Sequence, residues 1–144
     1  MKSGAGHHQV RCKQGSYQID VSGNVLSFSG EGPWDKITVE RYNKDMRTAI
    51  GMFNGKAWAF LWYLKGLSIL TPDAEQALQD AVIWRANHKM TMCALVTESA
   101  TIPELARSQF ERIYEGAGVN YGIFNNRPSS LTWLARQGFS PAAA

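Results

Sequence analysis

Apolar and polar positions alternate from Tyr17 to Phe28. Tyr17, Ile19 and Val21 are separated by polar residues, Leu26 and Phe28 repeat the pattern, and Ser22-Gly23-Asn24 lies between the two runs. A period of two marks strands with one buried face, and the Gly-Asn reversal predicts a hairpin. Gly30-Glu31-Gly32-Pro33 breaks the pattern. Beyond Asp35, which suits an N-cap, the period becomes three and four. Val39, Tyr42, Met46, Ala49, Ile50 and Phe53 form a helical stripe, while Lys36, Glu40, Lys44 and Arg47 lie opposite. Asn54-Gly55 closes this helix.

Ala57 to Leu64 is apolar at successive positions, which predicts a central strand covered on both faces. Thr71, Pro72 and Asp73 open a second helix that turns Ala74, Leu78, Ala81 and Val82 inward. Thr91 to Val96 reads as another covered strand. Thr101-Ile102-Pro103-Glu104 matches a capping box, and the helix it opens presents Leu105, Ala106, Phe110, Ile113 and Tyr114, stopping at Gly116 or Gly118. Val119 to Phe124 is a last strand. A helix around Ser129 to Gln137 buries Leu131, Leu134 and one face of Trp133, and Gly138 ends it.

The order β-β-α-β-α-β-α-β-α predicts an α/β domain: a mostly parallel five-stranded sheet with an antiparallel first strand and four helices. The domain is expected over 16–138, between a disordered basic tail (1–15) and a short disordered C-terminal tail (139–144). Ligands of such sheets bind beyond the C-terminal ends of the strands. Three loops qualify, Lys65–Asp73, Thr97–Glu104 and Asn125–Pro128.

Composition narrows the reading. The chain has 144 residues, 44% of them hydrophobic and 19% charged, as for one globular domain. A net charge of +3 and a pI near 9.0 point at first toward nucleic acid. Lys2, Arg11 and Lys13 are the only charged residues before Asp20, so residues 20–144 carry twelve bases and twelve acids. Three tail charges fall short of the six to ten phosphate contacts of strong binding. Arg107 and Arg112 are interspersed with Glu104, Glu111 and Glu115, which describes a solvated mixed face, and no nucleic-acid partner is expected. The two cysteines, Cys12 and Cys93, make no disulfide framework and suit a reducing compartment. No apolar run of 18 residues and no secretory h-region occur, and the expected location is cytoplasmic.

Candidate chemistry is sparse. No GxxxxGK[ST], GxSxG, CxxC or HExxH pattern occurs. Gly116-Ala117-Gly118 follows a helix and precedes a strand, the reverse of a dinucleotide loop. His7, His8 and Cys12 are of soft-metal ligand type, but adjacent histidines on a tail read as adventitious. His88, beside Lys89, suits a helix C-terminus. No catalytic residue, metal or cofactor is expected. Trp58, Phe60 and Trp62 share one strand face, with Ala59, Leu61 and Tyr63 on the other. The three rings either fill a core beneath a helix or line an apolar pocket or dimer interface. Thr97, Ser99, Asn125 and Arg127, at the strand ends, complete the pocket candidates. With Glu98 they also offer a third reading, a nucleotide or small-acid site.

The element order and the segment Leu64-Lys65-Gly66-Leu67-Ser68-Ile69-Leu70-Thr71-Pro72-Asp73-Ala74 resemble the STAS domain of bacterial anti-sigma-factor antagonists. More closely, the chain resembles the SpoIIAA-like (STAS-like) bacterial proteins over roughly residues 16–138. Gly32-Pro33-Trp34 before the first helix and Phe124-Asn125-Asn126-Arg127 with Leu131-Thr132-Trp133-Leu134 carry that likeness. The resemblance implies a non-enzymatic regulatory module that associates with a protein partner through the loop and helix beginning near Leu67 to Asp73. Ser68, Thr71, Asp73 and Glu75 are its partner-binding candidates. In the antagonists this loop reads approximately Asp-Ser-Ser-Gly and one serine is phosphorylated. Aligned on that motif, Asp73 occupies the phosphorylatable position, so the usual switch residue is missing. STAS domains are also similar in topology to lipid-transfer proteins of the CRAL-TRIO type, which makes a small apolar or lipid-like ligand against Trp58, Phe60 and Trp62 the alternative. Sixteen aromatic residues leave a homodimer open as well.

Overall fold

The alternating runs at the N-terminal end form strands because each can bury one face. In the computed structural model, which describes residues 6–12 and 15–141 and side chains from Tyr17 onward, Tyr17, Ile19 and Val21 on β2 (Gly15–Ser22) and Leu26 and Phe28 on β3 (Val25–Glu31) are buried together. The two strands pair antiparallel around Gly23-Asn24, with Gly23 at φ 60°, where a side chain would be strained. A strand absent from the sequence reading, β1 (Gly6–Cys12), pairs antiparallel with β2 from Gly6↔Val21 to Cys12↔Gly15. The expected disordered tail therefore contributes a sixth strand. The side chains of His7, His8 and Cys12 lie outside the described residues.

Parallel strands follow: β4 (Trp58–Gly66), β5 (Met90–Ala100) and β6 (Tyr121–Phe124), giving the order β1-β2-β3-β4-β5-β6. The connecting helices are α1 (Lys36–Ile50), α2 (Pro72–Ala86) and α3 (Pro103–Ala117). When parallel strands are added in one direction, right-handed crossovers deliver every helix to the same face. All three pack there over the main core, which contains Phe28, Trp58, Phe60, Trp62 and Leu95. The last helix, α4 (Arg127–Arg136), precedes no strand among the described residues and covers the opposite face with Leu134, over Ala59, Leu61, Ala94 and Val96.

Local signals set most helix ends. Asp35 Oδ1 accepts from the Thr38 amide at 2.8 Å, and these bonds with Thr38 hold the Asp35 carboxyl below its usual pKa. Thr71 caps α2, and Asn126 Oδ1 accepts from the Ser129 amide at 2.9 Å at the start of α4. The Thr101–Glu104 capping box does not form. α3 begins at Pro103, Ile102 precedes it without a side-chain cap, and the Thr101 amide donates to Gly66 O at 2.8 Å instead. Proline prefers the first helical position, which moves the start one residue beyond the box. The inward stripe is then Ala106, Gln109, Phe110, Ile113 and Tyr114, and Leu105 faces out at 40% exposure. The expected C-terminal tail is also partly core. Gly138, at φ 91°, turns the chain so that Phe139 is buried, and Ser140 N donates to Asn24 Oδ1 at 2.9 Å.

Candidate functional site

The parallel strands end at one edge of the sheet, and there the β4–α2 loop is held from two sides, by the Gly32–Trp34 segment and by α3. The Trp34 amide donates to Ile69 O at 2.9 Å, and the Thr71 amide donates to Trp34 O at 3.2 Å. From α3, Gln109 reads the backbone of Leu70 in both directions: Oε1 accepts from Leu70 N at 3.1 Å and Nε2 donates to Leu70 O at 3.0 Å. Gly32 lets the neighbouring segment approach, because a Cβ there would stand 2.3 Å from Leu67 O. The loop is thus a positioned surface, with Ile69 O, both backbone groups of Leu70 and the Thr71 amide bonded to Trp34 and Gln109.

Ser68 is buried and its Oγ donates to Lys65 O at 2.9 Å. Thr71 is exposed, but its hydroxyl donates to Asp73 Oδ1 at 2.7 Å while it caps α2. Asp73 is exposed at the start of α2. Glu75 holds both Arg112 Nη2 at 2.8 Å and Nε at 3.2 Å, joining α2 to α3 and raising the Arg112 pKa. The four candidates therefore share one region with different roles: Ser68 and Glu75 are engaged internally, while Thr71 and Asp73 face solvent. Leu67, Ile102 and Leu105 add apolar surface to this edge, at 39%, 42% and 40% exposure.

The aromatic triad lies elsewhere. Trp58, Phe60 and Trp62 are at most 1% exposed. Trp62 packs edge-on against Phe28 and Phe110 with ring centroids 4.8 and 4.9 Å apart, and Trp58 stacks on Phe53 at 5.2 Å. Helices α1 to α3 supply the cover that the strand pattern leaves open, so this face is core. Thr97 is buried, its hydroxyl donating to Phe124 O at 3.4 Å, whereas Ser99 and Asn125 are exposed. Arg127 stands 5.2 Å from the Tyr63 ring on the α4 side of the sheet. The sheet separates that cation from the triad, so the seven pocket candidates do not form one site.

Two polar residues missed in the sequence line the core side. Gln109 is one. Arg85 is the other, 2% exposed on the inward face of α2. Its Nη2 donates to Asn43 Oδ1 at 2.7 Å and its guanidinium lies 4.9 Å from the centre of the Phe60 ring. Burial lowers the Arg85 pKa against the opposing pull of Tyr42, Cys93 and Tyr114. Burial also raises the Cys93 thiol to about 12 and pushes Tyr42 well above the ordinary phenol value. The signal for both residues was present: each is a polar residue on an otherwise apolar helical stripe. Among the described residues, no three His, Cys, Asp or Glu side chains gather as a metal site, and no helix is long and apolar enough to cross a membrane.

Three helices on one face of a sheet that is antiparallel at its start and parallel thereafter define a SpoIIAA-like α/β fold. Among solved structures, the chain is similar to an uncharacterized protein of the DUF3478 family from Shewanella loihica PV-4, described as having a SpoIIAA-like fold. The two share 14% identity with a TM-score of 0.57, over 91% of this chain and 94% of that one. At that identity the likeness establishes the fold. No protein-family model matches the sequence, and no curated protein matches it.

Proposed function

We propose that this protein is a non-enzymatic regulatory module that associates with another protein through the β4–α2 loop and the start of α2. One observation carries the reading: a loop clamped by Gln109 and Trp34 presents Leu67 and Asp73 beside the exposed Ile102 and Leu105. Apolar side chains on a rigid, polar-rimmed edge suit an interface, because little side-chain or loop order is lost on docking. Asp73 gives that surface a fixed negative charge. The two hydroxyls nearest it are occupied, Ser68 inside the loop and Thr71 in the cap, so the reading includes no phosphorylation switch. A lipid-like ligand finds no support at the triad, whose face is filled.

The test is affinity capture with the wild-type chain, Leu67→Asp and Asp73→Arg, each first shown by circular dichroism to melt like wild type. A partner retained by wild type and lost by both variants supports the reading. Partners retained equally by all three would refute it.

A further inference from the structure

Among the described residues, Arg85 is the one charged side chain buried in the interior. A guanidinium stays protonated in proteins, and a buried ion is costly unless another charge faces it. Here the facing groups are Asn43, Phe60, Tyr42, Tyr114 and Cys93, with no carboxylate among them. Burial keeps the two phenols and the thiol neutral. Arg85 Nη1 and the hydroxyls of Tyr42 and Tyr114 make no hydrogen bond of good geometry, although the Tyr42 hydroxyl lies close enough to the guanidinium to act as a neutral partner. The acceptors at the guanidinium are thus neutral, Asn43 Oδ1 at 2.7 Å and the nearby Tyr42 hydroxyl, where an anionic oxygen would bond more strongly.

Asn43 and Arg85 both line a groove of about 820 Å³ between α1 and α2. Lys36, Lys44 and Arg47 stand on its walls, opposed by Glu40, Asp73 and Asp80, so with Arg85 the lining carries four cations against three anions. Arg47 is held 4.7 Å from the ring centre of Trp84, and Asp80 accepts from Gln76 Nε2 at 3.0 Å. The positive excess lies at the buried end, since Arg85 is the buried member of the set.

We propose that the α1–α2 groove binds a small oxyanion, a carboxylate or phosphate group, with Arg85 as the charge that anchors it and Asn43 as the neutral group it displaces. Rotation of the half-buried Asn43 amide frees Nη2 toward the groove and admits the anion to the guanidinium. The groove adjoins the proposed partner surface at Asp73 but does not depend on it.

The experiment is thermal unfolding of the full chain at constant ionic strength, replacing KCl by potassium phosphate or, separately, by potassium acetate. Wild type is expected to gain stability saturably with one or both, phosphate alone assigning a phosphate group and acetate alone a carboxylate. Asn43→Asp places a carboxylate against Arg85. It should melt higher than wild type without added anion and bind the anion about 10- to 100-fold more weakly, as loss of a charge-assisted hydrogen bond predicts. Arg85→Met should lose the response, and if it does not fold, Asn43→Asp decides. The proposal is overturned by a linear rise shared by every folded variant, which is general salt exclusion, or by no shift in wild type. An Asn43→Asp protein no more stable than wild type overturns it equally.

Discussion

Gln109→Leu keeps the side chain's approximate volume and removes both hydrogen bonds to Leu70. Gln109 is 8% exposed and Leu70 3%, so water does not replace them. Two backbone groups are left unpaired at about 1–3 kcal/mol each. Burying leucine in place of an amide offsets part of this, and a net loss of about 2–4 kcal/mol remains. For a chain of this size that lowers Tm by about 6–16 °C. Urea and thermal unfolding followed by tryptophan fluorescence measure the total. Hydrogen exchange at the Leu70 amide isolates the local part, and its protection should fall with the variant. Gln109→Glu separates the two bonds, because it keeps the acceptor for Leu70 N and loses the donor to Leu70 O. Gln109→Leu within about 0.5 kcal/mol of wild type, with Leu70 protection intact, would refute the clamp.

Gly32→Ala drives a Cβ to within 2.3 Å of Leu67 O, and backbone cannot rotate aside as a side chain can. Chemical denaturation should show a loss near 3 kcal/mol, the upper end for overpacking, while Gly51→Ala, with nothing within 4 Å, is a neutral control. Phe139→Ala should cost about 3 kcal/mol as a core truncation, against almost nothing if residues 139–144 were a tail; equilibrium unfolding distinguishes the two. The Cys93 thiol is raised to about 12 in the folded state, so the unfolded chain ionises first. Its contribution to stability is therefore complete below pH 9 and lost as pH rises toward 12, by about 1.4 kcal/mol per pH unit. Cys93→Ala should flatten the alkaline limb of a stability–pH curve, and an unchanged limb would count against burial of the thiol.

Much of the fold was legible locally. The hairpin at Gly23-Asn24, the caps at Asp35 and Thr71, and the covered strand through Trp58, Phe60 and Trp62 each announce themselves within a few residues. Strand β1 does not, because pairing along the free edge of β2 uses backbone groups and requires no side-chain pattern. The candidate site was legible only as a loop. Ser68, Thr71, Asp73 and Glu75, which the resemblance singled out, lie on the loop after β4 and the start of α2, but which hydroxyl is occupied and which acid is paired depends on Lys65 and Arg112, the latter far along the chain.

By itself, the sequence determined which face of each element is apolar, since periods of two and 3.6 are properties of the local backbone. It could not determine what covers that face. The helices over the aromatic triad, the strand beside β2, the return of Phe139 and the destinations of Gln109 and Arg85 are contacts between segments brought together by folding. The same tryptophan stripe would read identically as pocket or core. Packing of α1, α2 and α3 on one side of the sheet makes it core. That packing also leaves the strapped loop and the Arg85 groove as the places to look for function.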